Sequence, residues 1–201
     1  EGKFDDNNPA PLAMINNSAS MLELWHGPTC AFKDMALQLL PYLLTTSAKK
    51  VADGKTMVIL VATSGDTGKA ALDGFADVEN TKILVFYPVD GVSPMQKLQM
   101  TTQTGSNVAV CAIEGNFDDA QTGVKKIFTN DDMRNLLKEN NMEFSSANSI
   151  NFGRLVPQIV YYVSAYCDLV KSGRLSDGDK FNVVVPTGNF GNILAAYYAK
   201  Q

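Results

Sequence analysis

Lys33 stands in the short run Ala31-Phe32-Lys33-Asp34, at the predicted start of a helix and among apolar neighbours. A lysine held near the positive end of a helix in a poorly hydrated setting is biased toward its neutral amine, which can serve as nucleophile and base. Taken alone, it reads as a solvated surface residue, as most lysines at helix starts do. Two loops give it company: Thr63 to Gly68, and Thr187-Gly188-Asn189-Phe190-Gly191-Asn192, both built from small hydroxyl, Asn and Gly residues between an apolar strand and a helix. Main-chain N–H groups in such a loop can converge on one anion, helped by the positive end of the following helix. Each loop singly is also readable as a tight turn in which Gly and Asn supply positive φ. Two of them after apolar strands favour anion binding. Lys69 after Gly68 does not make a nucleotide P-loop, because Gly65 and Gly68 are too close together and Ala70 replaces the required hydroxyl. The dinucleotide G-x-G-x-x-G pattern is absent as well.

These residues need elements to hold them. Met21 to Trp25 reads as a short strand running into His26-Gly27-Pro28-Thr29. Leu37, Leu40, Leu44, Ala48 and Val51 then repeat at helical spacing, and Pro41 must kink that helix or split it in two. Met57 to Ala62 is a continuous apolar run of strand length, as expected of a parallel strand buried on both faces. Alternation continues through a helix at Lys69 to Ala76, a strand at Ile83 to Tyr87, a helix near Pro94 to Thr102 and a strand at Val108 to Ile113. Two helical pieces follow, at Phe117 to Phe128 and Met133 to Lys138, and then the segment Phe144 to Ile150. Leu155, Val156, Ile159, Val160, Val163, Cys167 and Val170 form an apolar stripe that predicts a long helix ending at Gly173. Phe181 to Val185 is the last predicted strand, before a helix from about Asn192 that reaches Gln201 without a stop signal. Strands separated by helical crossovers give an α/β fold with a mainly parallel sheet, whose ligands bind at the carboxyl ends of the strands.

Composition narrows the function classes. With 45% hydrophobic and 19% charged residues in 201, the chain is globular, and no apolar run approaches the length of a bilayer-crossing helix. A net charge of -4 without a basic cluster argues against nucleic acid. The acidic opening Glu1-Gly2-Lys3-Phe4-Asp5-Asp6 is not an export signal. Cys30, Cys111 and Cys167 are scattered and form no C-x-x-C pair, which is the pattern of reduced thiols in a cytoplasmic protein; no metal site is expected.

Four segments together carry a resemblance. Leu24-Trp25-His26-Gly27-Pro28-Thr29-Cys30-Ala31-Phe32-Lys33-Asp34 resembles the pyridoxal-phosphate lysine motif of the threonine synthase family. Ala62-Thr63-Ser64-Gly65-Asp66-Thr67-Gly68 resembles that family's substrate and cofactor loop. Ser149-Ile150-Asn151-Phe152-Gly153-Arg154 is similar to its central motif, and Pro186-Thr187-Gly188-Asn189-Phe190-Gly191-Asn192 to its phosphate loop. Order and spacing match from about Pro9 to the end of the chain.

The resemblance implies two three-layer α/β lobes of the tryptophan synthase beta-like architecture, fold type II of the pyridoxal-phosphate enzymes, incomplete at both ends. Residues 1–55 and 143–201 would be parts of the larger, cofactor-binding lobe and 56–142 the smaller, mobile one. Lys33 would form the aldimine with pyridoxal 5'-phosphate and shuttle protons. Gly188, Asn189, Phe190, Gly191 and Asn192 would hold the cofactor phosphate, and Asp66 would lie at the cofactor ring edge. Ser64, Asp66 and Thr67 would face the substrate carboxylate, with Arg154 and Asn151 at its phosphate; Arg154 also reads as a structural contact at the start of the long helix. His26 is either a cofactor neighbour or proton relay, or the side chain that fixes the Gly27-Pro28 turn. The implied reaction is that of a lyase converting O-phospho-L-homoserine and water to L-threonine and phosphate. Alternatives are a serine or threonine dehydratase, a cysteine synthase, or a catalytically silent protein that keeps the cofactor pocket. As an internal piece, the chain alone is expected to bind the cofactor weakly and not to turn over.

Overall fold

The computed structural model describes residues 2–201. A hairpin of β1 (Leu12–Met14) and β2 (Ser20–Leu22) precedes α1 (Asp34–Leu37) and α2 (Leu40–Val51). Then come β3 (Thr56–Ala62), α3 (Asp66–Phe75), β4 (Thr81–Pro88), α4 (Pro94–Thr101) and β5 (Val108–Ile113). The chain continues with α5 (Phe117–Thr129), α6 (Asp131–Glu139), β6 (Met142–Ser146), α7 (Phe152–Lys171) and α8 (Gly191–Lys200). The predicted helix at 37–51 is split: Pro41 sits in the first turn of α2, where its missing N–H costs nothing.

Four parallel strands form one sheet in the order β5-β4-β3-β6. The central strands carry apolar side chains on both faces, β3 buried on both from Met57 on and β4 with Leu84 and Phe86 half-buried on the second. Ile59, Val61, Ile83 and Val85 pack with Leu37, Leu40, Leu72, Phe75 and Met100 from α1 to α4 on one side. On the other, Val58, Leu60 and Ala62 meet Ala120 and Val124 of α5, with Phe128 and Leu137 closing the layer. Period-two alternation between two apolar layers is why both strands read as unbroken hydrophobic runs. A separate cluster joins α7 to α8 and the hairpin through Leu155, Tyr161, Tyr162, Ala195 and Leu22.

Gly74 shows how closely α3 approaches α1: a Cβ there would lie 2.1 Å from the main-chain oxygen of Leu37. Helix propensity alone would make Gly74→Ala stabilising by about 1 kcal/mol. The clash is with backbone and cannot be relieved by a rotamer, so the variant is expected to lose about 1–3 kcal/mol, read as a lower urea midpoint.

Two expectations are corrected. The strand expected at Met21 to Trp25 is shorter and pairs antiparallel with Leu12–Met14, across a turn where Asn16 Oδ1 accepts from the N–H groups of Ser18 and Ala19. Phe181 to Val185 is not a strand. No main-chain hydrogen bond of a sheet reaches it among the described residues, and Val184 is 96% exposed. An apolar run becomes a strand only when a neighbour completes its ladder.

Candidate active site

After β3 the chain lays β4 and β5 to one side and then returns to place β6 on the other, so the strand order reverses between β3 and β6. Loops leaving the carboxyl ends of strands on either side of such a switch point flank a crevice. Here they are Thr63 to Gly65, entering α3, and Ala147 to Asn151, entering α7. Asn148 locks them together: its side-chain amide accepts from the N–H of Ala62 at 3.3 Å and donates to the oxygen of Ala62 at 3.0 Å. Thr63, 1% exposed, shapes the first loop by accepting from the N–H groups of Gly65 and Gly68 at 3.1 and 3.0 Å. Thr63 is visible in the sequence only as a member of its loop, and Asn148 not at all. An Asn or a Thr there is indistinguishable from ordinary turn chemistry until the strands are paired.

Lys33 reaches this crevice from the start of α1. Its Nζ lies 2.7 Å from Asp66 Oδ2, and its side chain is 14% exposed. The amine also lies 4.3 Å from the ring centroid of Phe32. Burial lowers the Lys33 pKa, as does the charge of Arg154, whereas the hydrogen bond to Asp66 and the charges of Asp66 and Asp34 raise it; burial prevails. Burial thus shifts Lys33 toward the neutral amine, the direction expected from the sequence, while its carboxylate partner opposes the shift; the cause is desolvation rather than the four-residue α1. Asp66→Asn removes the partner that favours the ammonium, so the Lys33 pKa falls further. Amine-selective labelling of Lys33 should then reach half its maximum at lower pH than in the wild type, as read by peptide mapping across a pH series.

Arg154, in the first turn of α7, is 7% exposed and donates from Nη1 to the oxygen of Ala147 at 3.0 Å. No other acceptor lies within hydrogen-bond distance of the guanidinium among the described residues. Burial pushes its pKa down to about 10, against the opposing charge of Asp66. Lys33, Asp66 and Arg154 thus form one charged group at the switch point. Ser64 is exposed and Thr67 partly so on the same loop as Asp66. Asn151 is committed locally, its amide accepting from Gly153 N–H at 2.9 Å and donating to Ser146 oxygen at 2.7 Å, which caps α7 and sets the turn before Arg154.

The loop from Thr187 to Asn192 ends at the open N-terminus of α8. Gly188 and Phe190 have φ of 46° and 62°, and no side chain caps the helix. A bulky residue in the left-handed region is strained, and such strain persists where the surroundings impose it. The side chain of Asn192 is anchored on α7, accepting from Tyr162 Oη at 2.5 Å and donating to Gln158 Oε1 at 2.9 Å, with Tyr161 Oη adjacent. Its main-chain N–H remains in the first turn of α8. A cavity of about 600 Å³ runs between this loop and α7, lined by Ser149, Ile150, Asn189, Phe190 and Gly191. A larger groove of about 830 Å³ lies between the hairpin, α7 and residues 180–186, and neither space is lined by Lys33, Asp66 or Arg154. Chemistry follows the charged group, not the larger volume.

His26 lies outside that group. Its Nδ1 is 2.7 Å from Asp5 and its Nε2 is 2.9 Å from Glu23, and these hydrogen bonds, Glu23 foremost, raise its pKa. With both ring nitrogens occupied it ties the N-terminal segment to the chain just before the Gly27-Pro28 turn. The three cysteines are free and exposed. Among the described residues no helix is long and apolar enough to cross a membrane.

Comparison with known proteins identifies the family and the fold. A threonine synthase-like 1 protein of Homo sapiens is 46% identical over 198 residues, covering 96% of this chain and 26% of the relative. The threonine synthase of Pseudomonas aeruginosa is 44% identical over 200 residues, covering 100% of this chain and 40% of the relative. The crystal structure of pyridoxal-phosphate-bound threonine synthase from Brucella melitensis superposes with a TM-score of 0.85 at 41% identity, over 99% of this chain and 40% of that one. The fold is therefore the α/β fold of fold type II pyridoxal-phosphate enzymes, and the chain spans about a quarter to two fifths of the length of these relatives. The profile of the family described as "Pyridoxal-phosphate dependent enzyme" matches residues 20–200, and the chain belongs to that family.

Proposed function

We propose that this chain carries the cofactor-lysine region of a threonine synthase, a lyase that converts O-phospho-L-homoserine and water to L-threonine and phosphate. The observation that carries the reading is the Lys33 amine, largely buried and 2.7 Å from Asp66, in one charged group with a buried arginine. The relatives named as threonine synthases support the choice of reaction. Pyridoxal phosphate fits the residues present: an amine of lowered pKa for its aldehyde, and for its phosphate an uncapped helix start after a loop with two left-handed residues. When bound, the cofactor supplies an electron sink for carbanions formed on the substrate.

The chain's own residues do the rest. Lys33 would hold the cofactor by its aldehyde, and its amine would hold and move protons at the substrate's α, β and γ carbons. Asp66 is the nearest acceptor for the proton that the ammonium must lose, and it holds the amine in place. Main-chain N–H groups of Gly188, Asn189, Gly191 and Asn192 would hold the cofactor phosphate, with Phe190 shaping the loop through its N–H, which donates to the oxygen of Thr187. Arg154 meets the substrate phosphate with a planar fork of donors, while Asn151 holds the turn that aims it. Ser64 and Thr67 offer hydroxyls to the substrate carboxylate. The smaller lobe, 56–142, contributes Ser64, Asp66 and Thr67. The larger, 1–55 and 143–201, contributes Lys33, Arg154 and the phosphate loop, so substrate lies between lobes. The free cysteines accord with a cytoplasmic setting, and turnover belongs to the whole protein, not to these residues alone. The test is product analysis on the full-length protein. Phosphate and threonine released from O-phosphohomoserine are expected; ammonia and an oxo acid released from threonine would replace this reading with a dehydratase.

A further inference from the structure

Asp34 is fully buried, at 0% exposure, yet among the described residues no cation is in contact with its carboxylate. Its two oxygens are spent on one turn. Oδ2 accepts from the N–H groups of Thr29 and Ala31 at 2.9 and 3.4 Å, and Oδ1 accepts from the Thr29 hydroxyl at 2.6 Å. The chain is wrapped tightly around this group. A Cβ on Gly27 would lie 2.5 Å from the Asp34 Cβ, and Cys30 takes a left-handed φ of 55° to let both N–H groups turn inward. Lys33 immediately precedes Asp34 in the chain, and its backbone continues the same turn, with the Asp34 N–H donating to the oxygen of Ala31.

We propose that Asp34 is the positioning residue for Lys33: its buried carboxylate gathers the Gly27 to Ala31 turn and so fixes where the lysine amine points. The inference rests on the role given to Lys33 above. A purely structural requirement would be met more cheaply by apolar side chains, since a buried ion is costly even when hydrogen-bonded. What the carboxylate adds is direction. It gathers three donors from two turn residues, Thr29 and Ala31, onto one carboxylate, and the Lys33 amine that follows them lies opposite Asp66. Asp34 also acts on Lys33 by charge, favouring the ammonium together with Asp66 and against Arg154. Burial raises the pKa of Asp34 itself, the Thr29 and Ala31 hydrogen bonds oppose that, and nearby Asp73, held by Gln38 and Lys69, adds to it.

The test uses the full chain with pyridoxal phosphate as probe: borohydride-trapped label on Lys33 is followed over time across a pH series, with circular dichroism confirming folded protein. Positioning sets the plateau rate at high pH and charge sets the midpoint, so the two effects separate. In Asp34→Ala and in Thr29→Val the plateau rate is expected to fall about tenfold, since a displacement of order 1 Å is enough to spoil an attacking geometry. Asp34→Asn keeps an oxygen for the Thr29 N–H and an amide for its hydroxyl, so its plateau should stay within about threefold of wild type while its midpoint moves to lower pH, the carboxylate charge being gone. If Asp34→Ala does not fold, Thr29→Val and Asp34→Asn decide. Wild-type plateau and midpoint in these folded variants would overturn the proposal; absence of label on Lys33 in the wild type would instead remove the role of Lys33 on which it rests.

Discussion

Lys33→Ala is expected to remove turnover by roughly 10³-fold or more, because one side chain is asked to join the cofactor and then to serve as the acid and base at successive carbons. Stability should change little. The amine sits in a desolvated place that disfavours its charge, and its partner Asp66 has a side chain 47% exposed, so a carboxylate left without it is solvated at small cost. Two measurements check this: phosphate release from O-phosphohomoserine, and borohydride-trapped pyridoxyl label by peptide mapping. Label recovered at Lys69 or elsewhere, with turnover intact, would show that the wrong lysine has been chosen.

Arg154→Lys should separate the substrate role of this residue from its structural one. Lysine keeps the positive charge but replaces a planar fork by a point charge on a flexible stem. The KM for a phosphate-bearing substrate is expected to rise roughly 10- to 100-fold, the equivalent of one or two charge-assisted hydrogen bonds, with a smaller effect on kcat. Arg154→Met additionally leaves the oxygen of Ala147 without its donor, costing about 1–3 kcal/mol of stability if nothing replaces it. A residue that only braced the start of α7 would show the stability loss with KM unmoved. That pattern, in steady-state kinetics alongside urea unfolding, would reassign Arg154 to structure.

Much of the frame is legible in the sequence because its central strands pack apolar side chains on both faces. Met57 to Ala62 and Ile83 to Tyr87 announce themselves by composition alone, and Pro41 marks the break between two helices. Where burial is one-sided or pairing is non-local, the reading weakens. Leu12–Met14 carries no strand signal of its own and exists because Ser20–Leu22 folds back on it. Phe181 to Val185 carries the signal and lacks the neighbour. At the site, Lys33 and the Gly-rich loops are visible as types at telling positions. The pairing of Lys33 with Asp66 is not, since it joins residues from different elements and depends on the strand order that brings their loops together. Asn151 shows the converse: its amide, which a motif offers to substrate, is taken by the turn it sits in.

The placement of β6 beside β3 has a consequence for how the molecule assembles. Thr56 pairs with Met142 only after the whole intervening excursion of strands and helices has been laid down, and closing so long an interval is entropically slow. The β3 to β4 pairing, bridged by a single helix, can condense early. Asn148 can clasp Ala62 only once the last strand has docked, so the pocket is completed at the end of folding, and a nascent polypeptide halted before that step would display the lysine without the arginine that answers it.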